Sequence, residues 1–428
     1  MNASRLSVSL SVLAGSIVIS AAVADNGAWR PSFSLPEEIY AAPGIPVNVY
    51  YQNCFDTDSP QRWTFQTYAF EGGSRWSKSW KDHWSWTPCQ GDAGKTYKVI
   101  FNAWSDDSEY PVAATTLVKV ASLPKCMTNR VTMAHFGASL TGCGYQDHSM
   151  NQIRKLGYKN FTPVGTRRLK DDGALHDAYG GWSYNSYLRE YMMGKDEYNN
   201  VQDQAEREQL KAAGVPVAKL EAWQTDLRRS PILTAKGGKV VVDGQKWLDR
   251  INGGKAPDFL FIELGGNACW WYKGTRAQLE KVVNHDLYER EDNEATPFYR
   301  TLRKILPDTV FIFCDQTFGC DQDGFTWNYG SDWNYNQNRK TVTVLNRGLR
   351  KWVKSLNDPK AVTCSFSYAI DPDTGYNHAE IAKGPYSEEK KSVCSNAVHP
   401  SVVGGKQLGD AMAAAVAYYM GVFAPAEK

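Results

Sequence analysis

Five short apolar runs constrain this chain more than any other feature: Val131 to Phe136, Asn160 to Val164, Phe259 to Leu264, Thr309 to Cys314 and Ala361 to Phe366. Each has the length of one strand and is apolar almost throughout instead of alternating, as a strand covered on both faces must be. Helical stretches lie between them. Met150, Ile153 and Leu156 recur on one helical face with Gly157 placed for a left-handed C-terminal cap, and Lys406 to Met420 is Ala-rich and suited to close packing. Buried strands alternating with helices predict an α/β fold over residues 125–428: a three-layer α/β/α sandwich around a five-stranded parallel sheet.

A chain of 428 residues has room for more than that unit. Residues 25–124 follow another pattern. Val47-Asn-Val-Tyr-Tyr, Trp63-Thr-Phe-Gln-Thr-Tyr, Tyr97-Lys-Val-Ile-Phe and Thr115-Thr-Leu-Val-Lys-Val are strand-like runs separated by Gly, Pro, Asp and Ser, which predict a small all-β sandwich. Residues 1–24 read as an export signal, with a cation at Arg5, an apolar run from Leu6 to Ala22 and small residues at Ala22 and Ala24. They predict a periplasmic or secreted protein beginning near Asp25. No later stretch reaches about 18 uninterrupted apolar residues, so no membrane span is expected. Tyr191 to Lys255 is a longer excursion with a helical stretch at Asp203 to Ala213 and a turn at Gly237-Gly238, read as a lid or loop elaboration.

Charge and cysteines narrow the partners. Forty-eight Lys and Arg against 46 Asp and Glu leave a net charge of +2, too little to collect phosphate backbones, and nucleic acid is excluded as a partner on that ground. Nine cysteines would lie in an oxidising compartment, and none forms the paired C-x-x-C of a zinc site. Cys54 and Cys89, the only two of the sandwich, are expected to bridge, and Cys314 and Cys320 to close a small loop after the fourth strand.

In parallel sheets ligands bind beyond the carboxyl ends of the strands, so the residues after each strand are candidates for chemistry. The first strand runs into Phe136-Gly137-Ala138-Ser139-Leu140-Thr141, where Ser139 is a candidate nucleophile or, equally by type, a helix N-cap. The third runs into Gly265-Gly266-Asn267, whose amide suits a tetrahedral oxyanion but also suits a turn. Asn396-Ala-Val-His399-Pro400 precedes the last helix, and its imidazole is a candidate base.

In this order the elements resemble the SGNH hydrolases, also called GDSL esterases and lipases. Gly137-Ala138-Ser139-Leu140 resembles that family's first block, His176-Asp-Ala-Tyr-Gly-Gly181-Trp182 its second, Gly265-Gly266-Asn267-Ala268 its third and Asn396-Ala-Val-His399 its last. The likeness runs from Arg130 to about Val422. The segment with Leu35-Pro-Glu-Glu-Ile-Tyr-Ala resembles the sandwich that precedes such domains in some secreted bacterial proteins. The resemblance implies a serine esterase in which Ser139 attacks, His399 carries the proton, and Ser139 N–H, Gly181 N–H and the Asn267 amide hold the oxyanion, with no metal or organic cofactor. Three acidic positions of the family pattern are replaced here, by Ala138, Ala268 and Asn396. A Ser-His dyad is therefore expected, with Asn396 or a main-chain carbonyl orienting the ring and Asp371 and Asp373 as alternative carboxylates. Cys143 and Cys269, just beyond Ser139 and Asn267, are expected to tie the cleft walls together.

Aromatic residues make up 13% of the chain, and several fall in polar loop-like stretches. Trp270, Trp271 and Tyr272, with Trp182 beside Gly181 and with Trp327, Tyr329, Trp333 and Tyr335 after the fourth strand, are read as stacking faces for sugar rings. An acetylated saccharide is the expected substrate. The alternatives are an acyl esterase or lipase, which needs an apolar cleft from the 191–255 excursion, and a noncatalytic carbohydrate-binding protein.

Overall fold

A computed structural model of the chain describes residues 30–69, 77–106, 111–123, 129–170, 172–189, 192–193, 227–228, 230–236, 239–290, 294–330 and 333–423. The export signal, the helical stretch at 203–213 and the Gly237-Gly238 turn lie outside them.

All five apolar runs are strands of one parallel sheet: β1 (Val131–Gly137), β2 (Phe161–Val164), β3 (Phe259–Glu263), β4 (Val310–Cys314) and β5 (Ala361–Cys364). Their spatial order is 2-1-3-4-5. Successive side chains in a strand point to opposite faces, and here each face meets its own core. Met133, Phe261 and Ile312 pack with Tyr145 and Ile153 of α1 (Tyr145–Lys155) and Leu408 and Met412 of α5 (Val402–Phe423). Phe136, Ile262 and Phe313 pack on the other side with Trp247 of α2 (Gly244–Asn252), Phe298 of α3 (Ala295–Ile305) and Trp352 of α4 (Tyr335–Ser355). Helices thus cover both faces, as continuous apolar runs require. Each such buried Phe or Leu contributes about 1.5–3 kcal/mol, so the sheet cannot be uncovered on either side without large loss.

The predicted cap at Gly157 is present. Leu156 ends α1 and Gly157 follows it at φ +112. The C-terminal part of the 191–255 excursion differs from a lid: Trp247, Leu248 and Ile251 on α2 are buried in the sheet-facing core, so this part forms a layer of the fold.

The N-terminal strands form two facing sheets. One has the order Glu38–Ala41, Val112–Val120, Thr96–Trp104 and Thr64–Ala69, and the other Val47–Tyr50, His83–Trp86 and Lys78–Ser79. Ile39, Val49, Trp84, Phe101 and Val118 fill the space between them. This unit sits against α4, α5 and the helix Arg276–Val283: Arg339 Nη2 donates to Phe55 O at 2.9 Å, Arg276 and Arg347 pair with buried Asp56, and Tyr419 bonds Tyr40.

None of the three expected disulfides is present, and packing explains why. Cys54 is buried with its Sγ donating to Tyr51 O, whereas Cys89 is exposed at the head of a short turn. Cys143 lies against α5, and Cys269 is buried in the core on the opposite side of the sheet. Cys314 instead meets Cys364, its register partner on β5, and Cys320 meets Cys394.

Candidate active site

With strand order 2-1-3-4-5, the chain leaves β1 and β3 toward opposite sides of the sheet, which opens a crevice beyond their carboxyl ends. Ser139 and Asn267 follow those two strands. The sequence folds this way because Gly137 is packed against Thr141 and His135, where a Cβ would clash, and because Gly265 takes φ +112 to turn the chain sharply after β3. Gly405 lets the start of α5 press on Cys143 O, where any side chain would collide. That close approach brings the loop before α5, with His399, onto the Ser139 turn.

His399 Nε2 lies 2.8 Å from Ser139 Oγ, and His399 Nδ1 lies 3.1 Å from Asn396 Oδ1. The same Oδ1 accepts the backbone N–H groups of Val398 at 3.3 Å and His399 at 3.0 Å. Two backbone donors can face only an oxygen, so the amide orientation is fixed, and the ring nitrogen facing it must carry a proton. Nε2 is then bare and able to accept from Ser139. Ala138 is the N-cap of the Ser139–Cys143 turn, and Ser139 is its first helical residue, at a start where backbone N–H groups have no partner within the turn. The reading of Ser139 as an N-cap is set aside. Asp371 accepts from Asp373 N and Thr374 Oγ1 and Asp373 lies in the same turn, so neither alternative carboxylate is the ring's orienter.

Asn267 Nδ2 donates to Trp182 O at 3.0 Å. A primary amide has two N–H groups, so one is anchored to the residue after Gly181 and the other remains for a ligand. Gly181 itself has φ +80, a conformation that favours glycine. Its loop is built rigidly: the Arg167 guanidinium lies 4.0 Å over the Tyr179 ring, Tyr179 stacks on Trp182 at 4.0 Å, and Tyr187 Oη lies 2.7 Å from Asp177 O and 3.0 Å from Gly137 O. Trp182, expected as a stacking face, is therefore a buried prop at 1% exposure, and what it offers the site is its carbonyl.

Ser139, His399, Gly181, Asn267, Trp270 and Trp271 all line one cavity of about 280 Å³. Asn396 stands behind the imidazole. Trp271 is 67% exposed at the rim, with Trp333 buried beneath it at 5.1 Å between ring centroids. Trp327 and Tyr329 belong to the helix Gln322–Tyr329 and Tyr335 opens α4, so these are helical positions where a loop was expected. Every described residue lining the cavity falls between 138 and 399, so none of the described residues of the β-sandwich is in its walls. Among the described residues no group of three His, Cys, Asp or Glu could hold a metal ion, and no helix is long and apolar enough to cross a membrane.

Two wall residues were missed in the sequence, Glu263 and Gln316. Glu263 had a visible signal, as the one charge inside the apolar run Phe259 to Leu264. It is fully buried, its Oε2 accepts from Ala138 N at 3.2 Å, and burial pushes its carboxyl up to about 7, with donation from Gln316 and the Ala138 N–H opposing the shift. Gln316 gives no such signal, since its place in the wall depends on Asn346 of α4, which bonds its backbone on both sides.

No family model and no curated protein matches the chain. Among solved structures it is similar to a "possible lipase" from Chitinophaga pinensis, with 10% identity, 66% of this chain and 96% of that one covered and a TM-score of 0.32. It is similar also to a sialyltransferase from Photobacterium damsela, with 9% identity, coverage of 72% and 64% and a TM-score of 0.18. A family 123 glycoside hydrolase from Clostridium perfringens has 10% identity, coverage of 88% and 81% and a TM-score of 0.18. Likenesses this distant carry no activity across to this chain.

Proposed function

We propose that this protein is an exported serine esterase that removes short acyl groups, acetyl above all, from the hydroxyls of a saccharide. The observation that carries the reading is the 2.8 Å approach of His399 Nε2 to Ser139 Oγ, with Asn396 on the far ring nitrogen. In this mechanism the Ser139 proton passes to Nε2 as Oγ forms a bond to the ester carbonyl carbon. The carbonyl oxygen becomes an oxyanion and takes hydrogen bonds from Ser139 N–H, Gly181 N–H and the second Asn267 amide hydrogen. The tetrahedral intermediate collapses, the sugar hydroxyl leaves with the proton from His399, and an acyl-Ser139 remains. Water, deprotonated by the same imidazole, then releases acetate and restores the serine.

An asparagine orienter is compatible with this chemistry. Aspartate-to-asparagine replacement in serine proteases costs about 10⁴ in turnover because the imidazole takes the wrong tautomer. Here Asn396 Oδ1 accepts from Nδ1, so the tautomer is the productive one and only the carboxylate's charge is lacking.

The cavity supports a small acyl group. Its volume of about 280 Å³ lies just below the 300–1,000 Å³ usual for ligand pockets. Trp271, exposed at the rim, presents the kind of face on which a sugar ring stacks. The test is acetate release from a panel of acetylated polysaccharides, alongside p-nitrophenyl acetate and longer p-nitrophenyl esters, in wild type and Ser139→Ala. Loss of acetate release in the variant is expected. Equal rates in the two proteins would defeat the reading, and a preference for long acyl chains would redirect it to a lipase.

A further inference from the structure

Among the described residues Glu263 is the only acidic side chain in the wall of the site cavity, and the proposed mechanism gives it nothing to do. Its position is set by the sheet, where Glu263 on β3 is the register partner of Gly137 on β1, two residues before the candidate nucleophile. The carboxyl is 0% exposed. Oε2 accepts the Ala138 N–H at 3.2 Å, so the side chain braces the peptide that leads into Ser139. Oε1 has no well-aligned donor, although the Gln316 amide is near enough to favour the charged form.

Among the described residues no Lys or Arg lines this cavity to balance a negative charge at this point. The titratable groups that face it are Cys143 from the turn after β1, Tyr145 of α1, Tyr184 beyond the Gly181 loop and Cys314 of β4. Each is neutral unless it loses a proton, and burial pushes all four up. His399 shares the cavity, and the wall contains no Lys or Arg among the described residues. Apart from His399, a carboxylate here would meet only groups able to become negative, across a pocket in which an ester oxygen must itself become negative.

We propose that Glu263 is a positioning residue that controls the Ser139 site by its charge. Neutral, it braces the Ala138 peptide and leaves the oxyanion as the sole negative charge in the pocket. Ionised, it sets a second negative charge against the oxyanion and suppresses turnover. The inference rests on the esterase reading of Ser139 and His399.

The sign of the pH dependence follows. Activity rises as His399 loses its proton and becomes a base, then falls as Glu263 loses its own near pH 7. The fall should be about tenfold or more, as expected for two like charges several ångströms apart at low dielectric.

The experiment is the pH profile of kcat/KM for p-nitrophenyl acetate in wild type and Glu263→Gln, which keeps the shape and the acceptor for Ala138 N–H. Wild type should show the fall, and the variant should hold its activity to higher pH. Identical alkaline limbs, or a wild-type profile flat from neutral to pH about 9, would overturn the proposal. A readout independent of the variant's folding is carboxyl ¹³C titration of glutamate-labelled wild type, in which one buried glutamate should titrate near 7; if every glutamate titrates in the ordinary range, the proposal falls. Ester hydrolysis undiminished in Ser139→Ala would remove the esterase reading itself, whereas dependence on Ser139 with superimposable profiles would remove only the role given to Glu263.

Discussion

His399 Nε2 approaches Ser139 Oγ to 2.8 Å although 260 positions separate the two residues along the chain. The serine stands at the end of an internal strand and the histidine in the loop before the last helix, so their meeting is a property of the whole fold. Side chains that act as a unit are not additive. Ser139→Ala and His399→Ala should each lower kcat/KM for p-nitrophenyl acetate by about a thousandfold or more, and the double variant should be scarcely worse than either. Steady-state kinetics on the three proteins decides this; two effects that multiply would separate the residues.

Asn396 offers the sharpest comparison. Replacing it with Asp keeps an oxygen opposite Nδ1 and adds a charge that stabilises the imidazolium, so turnover should be unchanged or higher, with the acid limb of the profile moved to higher pH. Complete loss of activity in Asn396→Asp would show that the amide itself is needed. In Asn396→Ala, Val398 N and His399 N lose their acceptor and the loop loses its shape, so kcat should fall.

The fold was legible because continuous apolarity is a local property: each of the five runs states, without reference to any other, that it is buried on both faces. The β1 and β3 ends were legible for the same reason. What was not legible depended on neighbours distant in sequence. Trp182 looks like a stacking face in isolation and is a buried prop because Tyr179 stacks on it, with the Arg167 guanidinium, from an earlier segment, over the Tyr179 ring. The cysteine pairings failed likewise, because nearness in sequence to Ser139 and Asn267 says nothing about which side of the sheet a thiol enters. Glu263 stood in view, an acid in an apolar strand, and only the register with Gly137 gives it meaning.

Asn267 should behave as an oxyanion donor whose anchoring is separable from its chemistry. Asn267→Ala removes both the bond to Trp182 O and the free amide hydrogen, and should lower kcat about 10²–10³-fold with little change in KM. Asn267→Asp puts a carboxylate where a donor is required, and should be at least as damaging. A rise in KM at constant kcat in either variant would instead make the residue part of substrate binding.

Acid should unfold this protein through two buried histidines. His135 is fully buried with Nε2 2.9 Å from Tyr145 Oη, and burial lowers its pKa to about 3 from the ordinary 6.5; His176 is lowered too, by burial first and then by His135 and Arg167. The unfolded chain binds protons at these rings where the folded chain does not. The contribution of His135 is thus intact above pH about 6.5 and is lost progressively down to about 3, at up to about 1.4 kcal/mol per pH unit, and that of His176 is lost in the same direction as the pH falls. Urea unfolding between pH 7 and 4 should show this slope, and His135→Gln should flatten it. An equal slope in the variant would assign the acid sensitivity to other groups.

Cys320 and Cys394 carry the last prediction, because the sequence pointed to Cys314 as the partner of Cys320 and the packing points elsewhere. A Cβ placed on Gly324 would collide with Cys320 Sγ and Cys394 Cβ alike, so the two side chains share one spot. Cys320 N also donates to Ala397 O at 2.9 Å, joining the loop after β4 to the segment that carries His399. Donation from the Cys320 thiol lowers the pKa of Cys394, so Cys394 is the more readily ionised of the two. With glutathione disulfide as oxidant, one thiol of the pair, once a local opening exposes it, displaces a glutathione thiolate to form a mixed disulfide, and the other thiol then displaces the second glutathione, so that two thiols are oxidised and one disulfide is reduced. Peptide mapping after oxidation should find the 320–394 link, with alkylation of Cys54, Cys89, Cys143 and Cys269 unchanged. The crosslink should raise Tm and leave ester turnover intact, since it pins the histidine loop where it already stands. A Cys143–Cys269 link would contradict the packing, because those thiols enter from opposite sides of the sheet.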